Sequence, residues 1–129
     1  MSFQSLGQTK TIYKFDGPFP DFLESFPSPR LEPSFQVIFE TDEFTSLCPV
    51  TGQPDYGTVE ITYTPDKVCV ESKSLKLYLM SFRQFGGFGE AITNRIFEDL
   101  QYLLKPRALE VTCRFKARGG INFAVTRML

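Results

Sequence analysis

Polar and apolar residues alternate without a break from Thr58 to Thr64: Val59, Ile61 and Tyr63 fall on one side, Glu60, Thr62 and Thr64 on the other. A period of two predicts a strand with one buried face. Phe35–Thr41 reads as an earlier strand. Thr64-Pro65-Asp66-Lys67 reads as a turn, with proline where φ must lie near −65°, and Val68–Glu71 as the returning hairpin partner. From Ser72 the period lengthens. Leu75, Leu79 and Phe82 share a helical stripe with Tyr78 beside it, and Ser72 is a plausible N-cap. Gln84–Gly89, with three glycines, predicts a loop. A second stripe, Ile92, Ile96, Leu100 and Leu103, runs to about Lys105, where Pro106 ends it. Leu109, Val111, Cys113 and Phe115, then Ile121, Phe123 and Val125, predict a last hairpin turning at Ala117–Gly120.

The order strand, hairpin, helix, helix, hairpin predicts an α+β fold, an antiparallel sheet with both helices on one face. Such a sheet has two open edges, which must be blunted or paired, so a ring of sheets joined across subunits is expected. Residues 1–34 are dense in proline, serine and phenylalanine, which forbids a long helix. They read as an extended arm docked through its phenylalanines. The 129 residues fit one domain.

Composition narrows the functions open to this fold. The net charge of −1 gives no basic field for nucleic acid. No apolar run nears the ~20 residues that span a bilayer, and Met1–Gly7 lacks a secretory pattern. Three cysteines are not a disulfide framework and point to a reducing, cytoplasmic setting. There is no histidine, which removes Ser-His-Asp triads, Cys-His dyads and histidine-ligated metals. No Cys-x-x-Cys pair suggests zinc, so no metal is expected.

Candidate chemistry centres on Phe44–Gly57. Cys69 and Cys113 sit in strand patterns, as small core hydrophobes do. Cys48 instead precedes Pro49 in a turn-forming stretch, where no core periodicity explains it. A thiol there can be a nucleophile if its pKa is lowered. Asp55, a turn carboxylate on its own, becomes an acid/base candidate beside it. Glu71 stands where a strand gives way to a helix, and Glu90 opens the second helix, where a carboxylate also suits the helix dipole. Lys73, Lys76 and Arg118 are either a solvated face or a phosphate clamp.

Leu47-Cys48-Pro49 through Asp55, the string Glu71-Ser72-Lys73-Ser74-Leu75-Lys76-Leu77-Tyr78, then Ser81-Phe82-Arg83 and Arg118-Gly119-Gly120 closely resemble the NADPH-dependent nitrile reductases of queuosine biosynthesis, the QueF or preQ0 reductase family, in its short single-module form. The likeness covers roughly residues 35–123. It implies a tunnelling fold built as stacked rings, a homo-oligomer with active sites between subunits. It implies reduction of the nitrile of 7-cyano-7-deazaguanine (preQ0) to an aminomethyl group with NADPH. By position, Cys48 is the nucleophile that forms a thioimide and Asp55 the proton donor. Val70, Glu71 and Ser72 line the substrate pocket, and Gly89 and Glu90 meet the deazapurine edge. Ser72, Lys73, Lys76, Arg118 and Gly119 contact NADPH. The chain departs from the family at Gly89, where the family has histidine, a change expected to leave space that water, Tyr56, Tyr78 or the arm could fill. Two other functions stay open: a QueF-like amidinotransferase acting on preQ0 in tRNA, which the near-neutral charge argues against, and a deazapurine binder without catalysis.

Overall fold

The computed structural model describes residues 11–129; the start of the arm, residues 1–10, lies outside the described residues. The elements run β1 (Ser25–Pro27), β2 (Val37–Leu47), β3 (Pro54–Thr64), β4 (Val68–Val70), α1 (Ser72–Met80), α2 (Gly89–Leu104), β5 (Ala108–Arg118) and β6 (Ile121–Met128). A four-stranded antiparallel sheet has the order β2-β3-β5-β6, and β1 with β4 makes a second, two-stranded sheet.

The period-two strand is the centre of the main sheet. Val59, Ile61 and Tyr63 are each 1% exposed and pack with Leu109, Val111 and Cys113 of β5. Both helices cover this one face through Leu75, Tyr78, Ile92, Ile96 and Leu100. Phe82 has no exposed surface and makes ring contacts with Phe44, Tyr78 and Phe85 at centroid distances of 5.6, 5.3 and 5.9 Å. The edges of the sheet are β2 and β6.

The expected pairing of Val68–Glu71 with the preceding strand does not form. β3 is bonded on one side to β2 and on the other to β5, so no edge remains for β4. β4 pairs instead with β1 of the arm, Ser25 opposite Val70 and Pro27 opposite Val68. The rest of the arm runs along α1. The Gly17 N–H donates to the Ser81 carbonyl (2.8 Å), the Phe19 N–H to Ser81 Oγ (3.0 Å) and the Glu24 N–H to Ser74 Oγ (3.0 Å). The Arg83 guanidinium lies 4.4 Å from the Phe15 ring centroid.

The cap of α1 also differs from expectation. Ser72 is exposed inside the first turn, and Glu71 is the N-cap. Its carboxylate accepts from the Lys73 N–H (2.9 Å) and the Ser74 N–H (2.8 Å), satisfying two of the donors that a helix start leaves free.

Two strands are longer than the alternation suggests. β2 continues to Leu47 through a bulge between Thr41 and Phe44, and β3 starts at Pro54. Gly57 is required where β3 crosses β5, since a Cβ there would stand 2.5 Å from the Arg114 carbonyl oxygen. Among the described residues no helix is long and apolar enough to cross a membrane.

The aromatic cluster is the most exposed to truncation. Phe82→Ala is expected to lower unfolding stability by about 3–5 kcal/mol, read as a fall in the urea midpoint; a loss under about 1 kcal/mol would mean that this ring is not part of the core.

Candidate functional site

Leu47 is paired with Pro54, so the segment between them, Cys48–Gln53, is a short loop at one end of the sheet. The loop is closed from within. The Cys48 N–H donates to the Gln53 carbonyl (2.8 Å) and the Gly52 N–H to the Cys48 carbonyl (2.9 Å). Gly52 takes a φ of +71°, which side-chain-bearing residues rarely adopt. Cys48 therefore stands at a defined place.

The glycine-rich loop brings the second helix to the same place. The Leu47 N–H donates to the Phe85 carbonyl (2.9 Å), the Gly87 N–H donates to the Leu47 carbonyl (3.1 Å), and Leu47 bridges Gly86 in parallel. Two residues after Gly87 the chain enters α2, so Gly89 and Glu90 lie beside the cysteine loop. From the other side, β5 and β6 supply Arg118 and Phe123. Their turn is Gly119-Gly120, with φ of +55° and +77°. A two-residue hairpin with positive φ at both central positions admits glycine readily and other residues poorly. A bulge between Phe115 and Arg118 places the arginine, as bulges beside binding sites commonly re-aim a side chain.

These parts enclose a cleft of about 520 Å³, lined by Cys48, Asp55, Gly89, Glu90 and Arg118 and floored by aromatic residues. That volume lies within the range of small-molecule sites. Asp55 lies in β3 itself, and its main-chain carbonyl accepts from Thr45 Oγ1 (2.7 Å). Its carboxylate is ion-paired with the Arg118 guanidinium.

The thiol of Cys48 is lowered to about 7. The Thr51 hydroxyl is the main cause, followed by the backbone N–H groups of Thr51 and Val50, with a smaller part from Arg118; burial works against them. Hydrogen bonds to the charged form favour it, so the thiolate is more available near neutral pH than that of an ordinary cysteine. Cys113, buried in β5, is pushed up to about 11 by desolvation. The two thiols are thus shifted in opposite directions, Cys48 by donors in its loop and Cys113 by burial.

The expectation of space at position 89 is overturned. A Cβ on Gly89 would stand 2.6 Å from both the Phe115 and the Phe123 ring. These rings, 5.7 Å apart by centroid, already fill the place. Tyr78 cannot serve there either: its hydroxyl is tied to Asp99 at 2.6 Å within the core.

Within one chain Val70, Glu71 and Ser72 do not reach this cleft. They line a separate groove with Phe26, Val37 and Phe39. Phe39 and Cys48 lie near opposite ends of β2, roughly 30 Å apart at about 3.3 Å per residue. Lys76 lines a third cleft, between α1 and β2, with Arg83 and Ser72 at its rim. Tyr56, expected near position 89, does line the cleft; Phe115, Phe123, Lys116 and Thr51 are site residues that pattern reading missed. Alternation did place Phe115 and Phe123 in strands, where they pair opposite each other, but it does not state that this end of the ladder meets Gly89.

Replacing Thr51 by valine removes the strongest donor to the sulfur. Thr51→Val is expected to move the midpoint of Cys48 alkylation by iodoacetamide upward from about pH 7 and to slow labelling at neutral pH several-fold. An unchanged pH profile would remove Thr51 from the site.

Comparison with known proteins places this geometry. A family model described as QueF-like protein matches residues 54–128. The chain is 51% identical over 117 residues to the NADPH-dependent 7-cyano-7-deazaguanine reductase of Streptococcus mutans serotype c, covering 91% of this chain and 72% of that protein. It is 54% identical over 103 residues to the protein of the same name from Alkalilimnicola ehrlichii, covering 80% of each, and 54% identical over 99 residues to that of Nitrosospira multiformis, covering 77% and 71%. Among solved structures, the apo archaeosine synthase QueF-Like has the same fold, with a TM-score of 0.68 at 20% identity over 72% of this chain and 91% of that one. The central strand and the glycine-turned hairpin described above lie within the matched residues, and this chain belongs to the QueF-like protein family.

Proposed function

We propose that this protein is an NADPH-dependent 7-cyano-7-deazaguanine reductase that traps the nitrile carbon on Cys48. The observation that carries the reading is the meeting, in one cleft, of a thiol lowered to about 7 with Asp55 and Glu90. The names borne by relatives at about half identity supply the substrate and the reductant.

A nitrile accepts nucleophiles poorly until its nitrogen can be protonated. Addition of the Cys48 thiolate to the nitrile carbon gives a thioimide, whose nitrogen takes a proton from a group beside it; we assign that role to Asp55, which shares the cleft. The Glu90 carboxylate suits the amidine edge of the deazapurine, where paired hydrogen bonds are charge-assisted. The exposed ring of Phe88 and the rings of Phe115 and Phe123 give the bicyclic ligand apolar surface and help to exclude water.

The cationic side chains fit a phosphate-bearing cofactor. Lys73 and Lys76 project from the solvent side of α1, and Arg118 stands more than half exposed beside Gly119. The N–H groups of Lys73 and Ser74 are taken by Glu71, so the lysine side chains, not the helix terminus, would hold phosphate. When bound, NADPH supplies the reducing equivalents. Because Glu71 and Cys48 lie at opposite ends of the sheet, we place Val70, Glu71 and Ser72 of a second copy across the cleft of the first, in a homo-oligomer closed through the β2 and β6 edges.

Mass spectrometry of the intact protein with preQ0 tests this. The expected result is a mass increase equal to one preQ0, absent in Cys48→Ala and discharged when NADPH is added, with release of the aminomethyl product. An adduct that persists through NADPH without any oxidation of the nucleotide would refute reduction.

A further inference from the structure

The same guanidinium serves two groups that the proposed chemistry needs in different states. Arg118 is ion-paired with the Asp55 carboxylate and lines the same cleft as Cys48, whose thiol it helps to lower. Its backbone is fixed by the β5 bulge on one side and by the Gly119-Gly120 turn on the other. Its side chain is 57% exposed, against 21% for Asp55. A carboxylate held in an ion pair has no proton to give. An exposed arginine can exchange that carboxylate for another anion, since phosphate matches the guanidinium fork as well as carboxylate does.

We propose that Arg118 is a positioning residue that holds Cys48 and Asp55 in their resting arrangement and is drawn off both by the phosphates of the dinucleotide, which frees Asp55 to take up a proton from solvent. The inference rests on the reading of the cleft as a nitrile-reducing site and adds an order to it: nucleophile poised first, acid released on cofactor binding. The other groups facing the cleft do not duplicate this role. Glu90 comes from α2 with the same sign as Asp55, Lys116 from β5 lies 5.7 Å from the centroid of the Tyr56 ring, and Thr51 and Val50 act on the sulfur alone. The thiol's lowering accords with the arrangement, with Arg118 its smallest contributor, so the effect of moving it is modest.

The test is the pH profile of iodoacetamide labelling at Cys48, read on its own peptide, with NADP⁺ as the probe. In the unsubstituted protein NADP⁺ is expected to raise the midpoint and slow labelling at pH 7 roughly twofold, and roughly threefold well below the midpoint, the consequence of half a pK unit. In Arg118→Ala the midpoint starts at the raised value and NADP⁺ moves it no further. Arg118→Lys, which keeps a charge without the fork, falls between. The proposal is overturned if Arg118→Ala has the unsubstituted profile, if NADP⁺ leaves the midpoint of the unsubstituted protein fixed, or if it slows labelling equally at every pH, which is shielding. Since no preQ0 is present, an absent nitrile adduct leaves this result readable, and an intact adduct with no Arg118 effect removes the latch alone.

Discussion

Antiparallel pairing of β3 with β2 and β5 is the constraint on which the site depends. The ladder sets Leu47 against Pro54 and Gly57 against Phe115. That register closes the Cys48 loop at the strand end and leaves Asp55 one residue inside β3. It also carries β5 past the same end, so that the arginine after its bulge meets the aspartate. A slip of one residue would turn Val59, Ile61 and Tyr63 away from the core. The apolar face thus fixes the register, and the register fixes the chemistry. Burial of three side chains on the helix-covered side determines which groups meet at the sheet's end.

The helices finish what the register begins. Leu47 exchanges hydrogen bonds with Phe85 and Gly87, so the segment joining α1 to α2 is sewn to the cysteine loop. Phe85 packs on Phe82, and Phe82 on Phe44 of β2. The core under the loop is therefore continuous with the core under the sheet. The lowering of the Cys48 thiol comes mainly from local donors, the Thr51 hydroxyl and the N–H groups of Thr51 and Val50 in the same loop. The chain has no histidine, and a hydroxyl and two backbone N–H groups lower the thiol in place of an imidazolium.

What the sequence made legible follows the range of the interactions involved. Val59, Ile61 and Tyr63, and the stripe Ile92, Ile96 and Leu100, were readable because one period states one face. Cys48 stood out because it broke that pattern. The partner of β4 was not readable, since three residues carry no signal for a strand more than forty positions away. The extension of β2 was hidden by Asp42 and Glu43, polar residues at its bulge. Glu71 displaced Ser72 as the cap because its longer side chain can reach two N–H groups at once, a matter of geometry that residue preference does not state. Gly89 was read as a gap, yet the rings that fill it come from strands over twenty residues away, and only their packing reveals it.

The separation of Glu71 from Cys48 bears on the whole reading. A ligand the size of a deazapurine spans far less than the length of β2, so no motion within one sheet joins the two ends. Both edge strands, β2 and β6, keep unpaired backbone groups within the described chain. Apolar Val50, Tyr56, Phe88 and Ile121 stand exposed around the reactive cleft. Edges of this kind are stable when another strand pairs with them, and apolar rims when another surface covers them. The neighbouring copy proposed above would answer both needs and bring a second pocket wall to the thiol. In that proposed arrangement assembly would be the step that makes the site whole, with stability and activity rising together on one interface.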